Sequence, residues 1–248
     1  MTGPANYPLY VVVEEESRKI LVAAEEVTGF FVGSPHDEAA EVEFLGIHEI
    51  AAGRHRVDDA ILEIMNYRQE KIGEYFVGRV VRSDAYDYAT GGQFAKVAYT
   101  VFGNRCEYPE AAAIWRHWAS DVALLKGEWR RGDASYQSAW LHVVQNSWFA
   151  SGRSGASRSF DGVARLDGID ILTSSAFYCA LGEAIYGPAG YFGTNLDALA
   201  ECISSTCESE RLREVVWQDF SFSRNVLGDS FTESIVELMR EFGVSVVI

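Results

Sequence analysis

The sequence predicts a mixed α/β protein, in which a small parallel sheet covered by helices follows an α+β N-terminal domain. In residues 161–248, short strand-like runs alternate with segments of helical spacing, an order that favours parallel strands joined by helices. In residues 1–149, several strand-like runs are mixed with fewer helical segments. The 248 residues, 48% of them hydrophobic, suffice for one large domain or two small ones with a real core.

The N-terminal elements follow from local sequence patterns. Runs rich in β-branched and aromatic residues predict strands, and EEESR predicts a hairpin turn between the first two of them. Residues 58–72 place apolar side chains at helical spacing after two aspartates, and they predict a helix. Two further helices are predicted in PEAAAIWRHWASDVALL, which begins at Pro109, and in YQSAWLHVVQNSWF. The predicted strands are YPLYVVV, KILVAAEEV, GFFVG, VEFLGIHEI, YFVGRVV and FAKVAYTVF.

The C-terminal elements alternate regularly. GVARLDGIDI predicts a strand and a turn, and SSAFYCALGEAI predicts a helix that Thr173, Ser174 or Ser175 can cap. TNLDALAECI predicts a second helix, VVWQDF a short strand with Trp217 in the core, and SFTESIVELMREF a third helix ended by Gly243. VSVVI predicts the last strand.

A Gly- and Ser-rich segment predicts a domain boundary. ASGRSGASRS, residues 150–159, contains no large apolar residue and is typical of a linker or surface loop. The charge also shifts there, because residues 1–160 have a net charge of −6 and residues 161–248 have a net charge of −9 without any lysine. The sequence therefore predicts an N-terminal domain over residues 1–149, a linker over 150–160 and a C-terminal domain over 161–248.

Composition argues against several classes of protein. No run of about 18 apolar residues occurs, so no transmembrane helix is expected, and the N-terminus lacks the basic and apolar regions of a cleaved signal peptide. The formal net charge of −15 argues against nucleic acid and anionic membranes as partners. It favours a basic partner or simply solubility. The four cysteines have no disulfide or zinc spacing, and reduced thiols in a cytoplasmic protein are the simplest interpretation.

The stretch YFGTNLDALAECI contains the candidate functional residues. Gly193 permits a tight turn, and Thr194 or Asn195 can cap the helix that follows. Asp197 and Glu201 are four residues apart and therefore share one helix face, where two like charges repel each other mildly. From the spacing alone, this face is either an ordinary solvated surface or a surface that meets an external cation.

Residues 161–248 resemble the barstar family of intracellular ribonuclease inhibitors. The resemblance rests on LDGIDI before the first helix, on YFGTNLDAL, on Trp217 in VVWQDF and on SIVELMREFGVSVVI at the end. It implies a three-stranded parallel sheet packed with helices. It also implies inhibition by occlusion, in which acidic side chains replace RNA phosphates in the active site of the ribonuclease.

The resemblance also implies which residues contact the partner. Tyr191 is expected to supply an aromatic contact, Asp197 is the first acid, and Glu201 replaces a family aspartate that points into the phosphate site. The serines and threonine after the helix match a contact loop, and Glu241 matches a further acidic contact. The family often has a Trp where Ala200 stands and another aromatic residue near Thr206, and both are absent here. The expected partner-binding residues are Tyr191, Asn195, Asp197, Ala200, Glu201, Ser204, Ser205, Thr206 and Glu241.

Five of the six tryptophans lie between residues 115 and 148. Such a density of aromatic residues is typical of a core, and use in an interface is the second interpretation. We predict no catalytic residue, metal ligand or cofactor, because His48 and His55 lack a metal-ligand spacing and Ser147 lacks the motif of a catalytic serine.

The leading hypothesis is a cytoplasmic, non-enzymatic inhibitor of the immunity or antitoxin type. Its expected partner is a basic ribonuclease or another basic toxin, with no direct contact to nucleic acid or membrane. The alternative is an enzyme or ligand sensor in residues 1–149, with the barstar-like part as a protein-docking module. A deep pocket in residues 1–150 lined by several histidines or acids would favour that alternative.

Overall fold

The computed structural model describes residues 7–34, 39–53, 55–88, 94–150, 160–205 and 211–248. The chain divides into two compact units, Met1–Val122 and Ala123–Ile248. The first unit is a closed barrel of six strands, in which all neighbouring strands are antiparallel and the order around the barrel is β1-β2-β3-β6-β5-β4. The strands are β1 Tyr10–Glu14, β2 Ile20–Thr28, β3 Ala40–Ile50, β4 Arg56–Met65, β5 Lys71–Tyr88 and β6 Phe94–Val101.

Side chains fill the interior of the barrel. Because side chains alternate across a strand, Val12, Phe44, Leu62 and Tyr99 come from four strands to one inner cluster. A cavity of about 10 Å³ remains among them, which is too small for a ligand. Helix α1, Ala111–Ala119, follows the barrel, and the indole N–H of its Trp115 donates to the Tyr75 hydroxyl at 2.8 Å.

The helix predicted over residues 58–72 is wrong, since this segment forms the hairpin between β4 and β5. Ala60, Leu62 and Ile64 alternate along β4 as fully buried residues, a period of two that the helical spacing concealed. Asn66 makes the turn, where its side-chain oxygen accepts hydrogen bonds from the backbone of Arg68 and Glu70, both at 2.9 Å. The predicted N-terminal α+β domain is therefore an antiparallel β-barrel followed by α1.

The second unit contains the predicted three-stranded parallel sheet, with strand order β7-β8-β9, and this prediction is confirmed. Helix α5 was not predicted from the sequence. None of the helices in the described part of the chain has the length and apolar character needed to cross a bilayer. The elements are α2 Ala134–Ala150, β7 Val163–Asp167, α3 Ser174–Tyr186, α4 Leu196–Ser205, β8 Glu214–Gln218, α5 Phe220–Leu227, α6 Asp229–Glu241 and β9 Ser245–Val247.

Trp217 lies at the centre of this unit, as predicted. It is 1% exposed, and its ring stacks on Phe177 with 5.0 Å between the ring centroids. Its indole N–H donates to the Ser223 hydroxyl at 3.0 Å, and that hydroxyl donates to the carbonyl of Gly168 at 3.1 Å. These two hydrogen bonds connect β8, α5 and the turn after β7.

The division into units differs from the boundary predicted at residues 150–160. Helix α2 packs against α3, so it belongs to the second unit although it precedes the Gly- and Ser-rich segment. Residues 151–159 of the predicted linker lie outside the described residues. In the sequence, the Gly- and Ser-rich segment follows α2 and precedes β7, which are both elements of the second unit.

A buried carboxylate holds the segment before α2 on α3. Glu183 of α3 is 5% exposed, and its Oε2 accepts hydrogen bonds from the backbone of Gly127 at 2.9 Å and from the Trp129 indole at 3.1 Å. Burial raises the pKa of Glu183, and these hydrogen bonds lower it by a smaller amount.

Candidate partner-binding surface

The turn before α4 sets the direction of the helix. Gly193 has a φ of +93°, and a Cβ there would lie 2.8 Å from the backbone nitrogen of Leu199, so only glycine fits without strain. Asn195 caps the helix, because its side-chain oxygen accepts a hydrogen bond from the backbone of Ala198 at 2.8 Å. Of the two residues that the sequence offered for this cap, the structure therefore uses Asn195.

Asp197 and Glu201 are both exposed on α4, and we call this pair the acidic ridge. The opposite face of the helix is buried through Leu199 and Ile203, which fixes the ridge toward solvent. Asp197 lies in the first turn, where the helix dipole stabilises a negative charge by about 0.3–1 kcal/mol. Among the described residues, no lysine or arginine forms an ion pair with either carboxylate.

The residues beside the ridge have small side chains, and the two serine hydroxyls form hydrogen bonds within α4. The Ser204 hydroxyl donates to the carbonyl of Ala200 at 2.8 Å, and the Ser205 hydroxyl donates to the carbonyl of Cys202 at 3.4 Å. Ala200 itself is half-buried. Thr206, the last residue of the expected contact loop, lies outside the described residues.

Glu241 ends helix α6 and is exposed there. Helix α6 packs against α4, so the structure brings the helix that carries Glu241 next to the helix that carries the acidic ridge. The two elements that the family resemblance selected from distant parts of the sequence are therefore neighbours.

Tyr191 differs from its expected position on the surface. It is 4% exposed, and its ring lies between two residues of α2, with centroid distances of 6.0 Å to Trp148 and 5.5 Å to Phe149. The glycine turn folds the tyrosine under α2, so its ring supports the turn and is not presented to solvent. Burial, followed by a contribution from Cys202, raises the pKa of the Tyr191 hydroxyl, and Glu201 adds to the rise.

Sequence reasoning attached no function to α2, although this helix supplies the aromatic neighbours of Tyr191. The only signal was the density of tryptophans up to Trp148, for which an interface was the second interpretation. Four of the five tryptophans are buried, as the core interpretation predicts, and Trp148 is half-buried. The exposed aromatic residue of α2 is Phe149, which is 69% exposed.

A groove of about 410 Å³ lies on the outside of the barrel. Apolar side chains such as Val11 and Val13 line it together with His48 and two acids, Glu49 and Glu63, and Glu63 is paired with Arg18. His48 lies 3.0 Å from Glu25, which is outside the groove lining. A deep pocket lined by several histidines or acids would favour an enzyme or ligand sensor, and this groove supplies one histidine and two acids. In the described part of the chain, no three or more His, Cys, Asp and Glu residues form a metal-binding group.

Comparison with known families gives one match. Residues 162–245 match the model of the Barstar family, described as "Barstar (barnase inhibitor)". The resemblance predicted from YFGTNLDAL and the flanking motifs is thereby confirmed for this segment, which lies wholly in the second unit. Residues 1–161 have no family match, and no curated protein matches the chain.

Proposed function

We propose that this protein is an intracellular inhibitor that binds a basic ribonuclease, or a related basic toxin, and fills its active site with the acidic ridge. One observation carries the proposal. Two exposed carboxylates without an ion-pair partner in the described residues stand at the front of a capped helix, inside the segment that matches the family of barnase inhibitors.

The charge of the ridge matches the chemistry of such a target. An enzyme that cleaves RNA must bind phosphates, so its active site presents lysine, arginine or histidine side chains. Carboxylates held at the front of a rigid helix can take the places of those phosphates without offering a bond to cleave. The net charge of −9 over residues 161–248 adds a long-range attraction that accelerates the encounter.

The shape of the ridge points to a target cleft that differs from the one the family usually meets. Glu201 is one methylene longer than the aspartate it replaces, so its carboxylate reaches a cation from further away. Ala200 provides little apolar surface where the family often has a tryptophan. We therefore expect a ribonuclease or toxin with a deeper cationic site than a close barnase relative would have.

The second unit acts by binding alone, without a chemical step of its own. Inhibition then requires contact inside the cell that makes the toxin, which places the protein in the cytoplasm, where it protects its producer. An enzyme or ligand sensor in the barrel would have to use the outer groove, which offers one histidine and two acids, because the barrel interior is filled.

Removing the ridge tests the proposed function. The double variant Asp197→Ala, Glu201→Ala should fold normally, because both side chains are exposed. It should lose at least about a hundredfold in affinity, since each carboxylate leaves a buried cation without a partner in the complex. Inhibition of RNA cleavage by barnase and by a set of basic secreted ribonucleases, measured over a series of salt concentrations, provides the readout.

A matched control comes from α6. Glu233→Ala, Glu237→Ala removes two exposed acids with the same four-residue spacing and the same total charge, although Glu233, unlike the ridge acids, pairs with Arg224. This variant should change the affinity by less than about threefold. Equal losses of affinity for the two double variants would mean that the ridge contributes only through the total charge of the protein. Unchanged inhibition by the ridge variant would reject the mechanism.

A further inference from the structure

Phe149 is the most exposed of the large hydrophobic side chains that the structure describes. It is 69% exposed near the C-terminal end of α2, in a helix that buries Trp140, Val143 and Val144. A single exposed apolar side chain is common on protein surfaces and carries no meaning alone. Phe149 differs from an isolated exposed side chain because it packs on other aromatic residues.

The ring of Phe149 is supported by other aromatic rings. It makes an edge contact with Tyr191 at a centroid distance of 5.5 Å, and the preceding Trp148 packs on Tyr186 at 4.9 Å and on Tyr191 at 6.0 Å. Because α2 is anchored on α3 and Tyr191 is buried, the phenylalanine rests on a fixed base. A side chain held in this way loses little conformational freedom when a partner covers it.

Tyr191 connects these aromatic residues to the helix that carries the acidic ridge. Tyr191 opens the turn through Gly193 that leads into α4, and Glu201 contributes to the raised pKa of its hydroxyl. Glu201 is therefore within electrostatic range of Tyr191, while Phe149 lies against the tyrosine ring. The exposed ring of Phe149 thus contacts the buried residue that opens the turn into the helix of the acidic ridge.

We propose that Phe149 is an additional partner-binding residue, which enters an apolar recess at the rim of the cationic cleft that the acidic ridge occupies. This inference rests on the proposed function and commits to the same partner, a basic ribonuclease or basic toxin. Charge complementarity selects that partner, and the ring contact between Phe149 and Tyr191, which opens the turn into α4, connects the phenylalanine to the helix that carries the ridge. Residues 134–150 of α2 lie outside the family match at 162–245, so the family pattern does not include this contact.

The physical role of Phe149 differs from that of the ridge. Carboxylates steer the encounter and fix its register, whereas a desolvated aromatic side chain at an interface mainly slows dissociation. The half-buried Ala200 leaves the ridge without a large apolar contact on α4 itself, and Phe149 on α2 supplies one.

The experiment compares Phe149→Ala with Phe222→Ala, which removes another exposed phenylalanine of the second unit, on α5. Association and dissociation rates are measured for the full chain with barnase and with the same set of basic ribonucleases, at low and high salt. Phe149→Ala should weaken binding at least about tenfold, mostly through faster dissociation, and leave the salt dependence unchanged. Phe149→Tyr should restore affinity to within about threefold, and Phe222→Ala should bind like the unaltered protein.

The outcomes separate this inference from the proposed function. If Phe149→Ala binds like the unaltered protein while the ridge variant loses affinity, Phe149 has no role in binding and the proposed function stands. If Phe149→Ala instead abolishes a dimer seen by analytical ultracentrifugation and leaves ribonuclease binding intact, the surface serves a second copy and the inference is overturned. If the unaltered protein binds neither these ribonucleases nor a set of other basic toxins, both proposals are rejected. Near-ultraviolet circular dichroism confirms that each variant keeps its fold.

Discussion

Glu183 connects parts of the second unit that its sequence separates. Its carboxylate is buried on α3 and accepts two hydrogen bonds from the segment before α2, more than 50 positions earlier in the chain. Sequence patterns identify neither interaction, because a glutamate in a helix is usually a surface residue. In contrast, local spacing was sufficient to propose Asn195 as a cap, since capping depends on residues within one turn.

The raised pKa of Glu183 predicts how stability depends on pH. Because burial raises the pKa of the folded carboxyl above that of the unfolded chain, its stabilising contribution is complete in acid. That contribution is lost as the pH rises through the folded pKa. Glu183→Gln stays neutral, so the unfolding free energy of the original protein should fall relative to that of Glu183→Gln as the pH rises from about 4 to neutrality. Urea unfolding over this range measures the difference.

The control for this pH dependence is Glu237→Gln, which changes an exposed glutamate on α6. Its unfolding free energy should run parallel to that of the unaltered protein. If the curves for Glu183→Gln and the unaltered protein also run parallel, the buried carboxyl does not titrate in this range.

At the scale of elements, the sequence predicted strands and helices correctly where the apolar spacing fits only one type of secondary structure. The strands and helices α3, α4 and α6 of the second unit follow from periodicity and caps. Two failures have physical causes. β4 was taken for part of a helix because its isoleucines satisfy both periods, and only pairing with β1 and β5 selects the strand. Helix α5 begins directly after Asp219, which has a left-handed backbone conformation with a φ of 48° and itself follows β8. No loop sequence therefore separates β8 from α5 and marks the start of the helix.

Gly193 determines how α4 begins, and its replacement should disturb the whole ridge. Gly193→Ala combines a positive φ with a Cβ placed 2.8 Å from the backbone of Leu199. Gly228→Ala is the matched control, because its φ is +88° but no atom lies within 4 Å of the added Cβ. The control should lose about 1–3 kcal/mol for the backbone conformation alone, because a φ of 88° with a ψ of 153° is a region that residues other than glycine rarely adopt.

The loss for Gly193→Ala should exceed that of the control by a further ~1 kcal/mol or more, because the backbone of α4 must shift. Chemical denaturation gives both values, and ribonuclease inhibition should weaken for Gly193→Ala alone. Equal losses of stability would mean that the turn can accommodate a methyl group.

At the scale of the whole molecule, the fold class and the family of the C-terminal segment could be predicted, whereas the true extent of the second unit could not. The resemblance begins near residue 161, but the compact unit begins at Ala123. Long-range packing of α2 on α3 produces this difference, and no local pattern encodes it. The barrel was equally hidden, because closure depends on the pairing of strands far apart in the sequence.

The extent of the unit predicts how fragments behave. A fragment of residues 161–248 lacks α2, so it exposes the face of α3 that packs against α2, and the Thr173 hydroxyl loses its hydrogen bond to Gln137 at 2.6 Å. Each large apolar side chain returned to water costs about 1.5–3 kcal/mol. The fragment should therefore unfold at a markedly lower denaturant concentration than residues 123–248. Equal midpoints would show that α2 is dispensable for folding.

The acidic ridge also has a consequence for the unbound protein. Its two carboxylates repel each other along α4, an unfavourable effect of about 0.2–0.5 kcal/mol that no cation among the described residues relieves. The arrival of a target's lysine or arginine side chains would remove this repulsion. Binding of the proposed partner would then stabilise α4, and amide hydrogens along α4 would exchange with solvent more slowly in the complex than in the unbound protein.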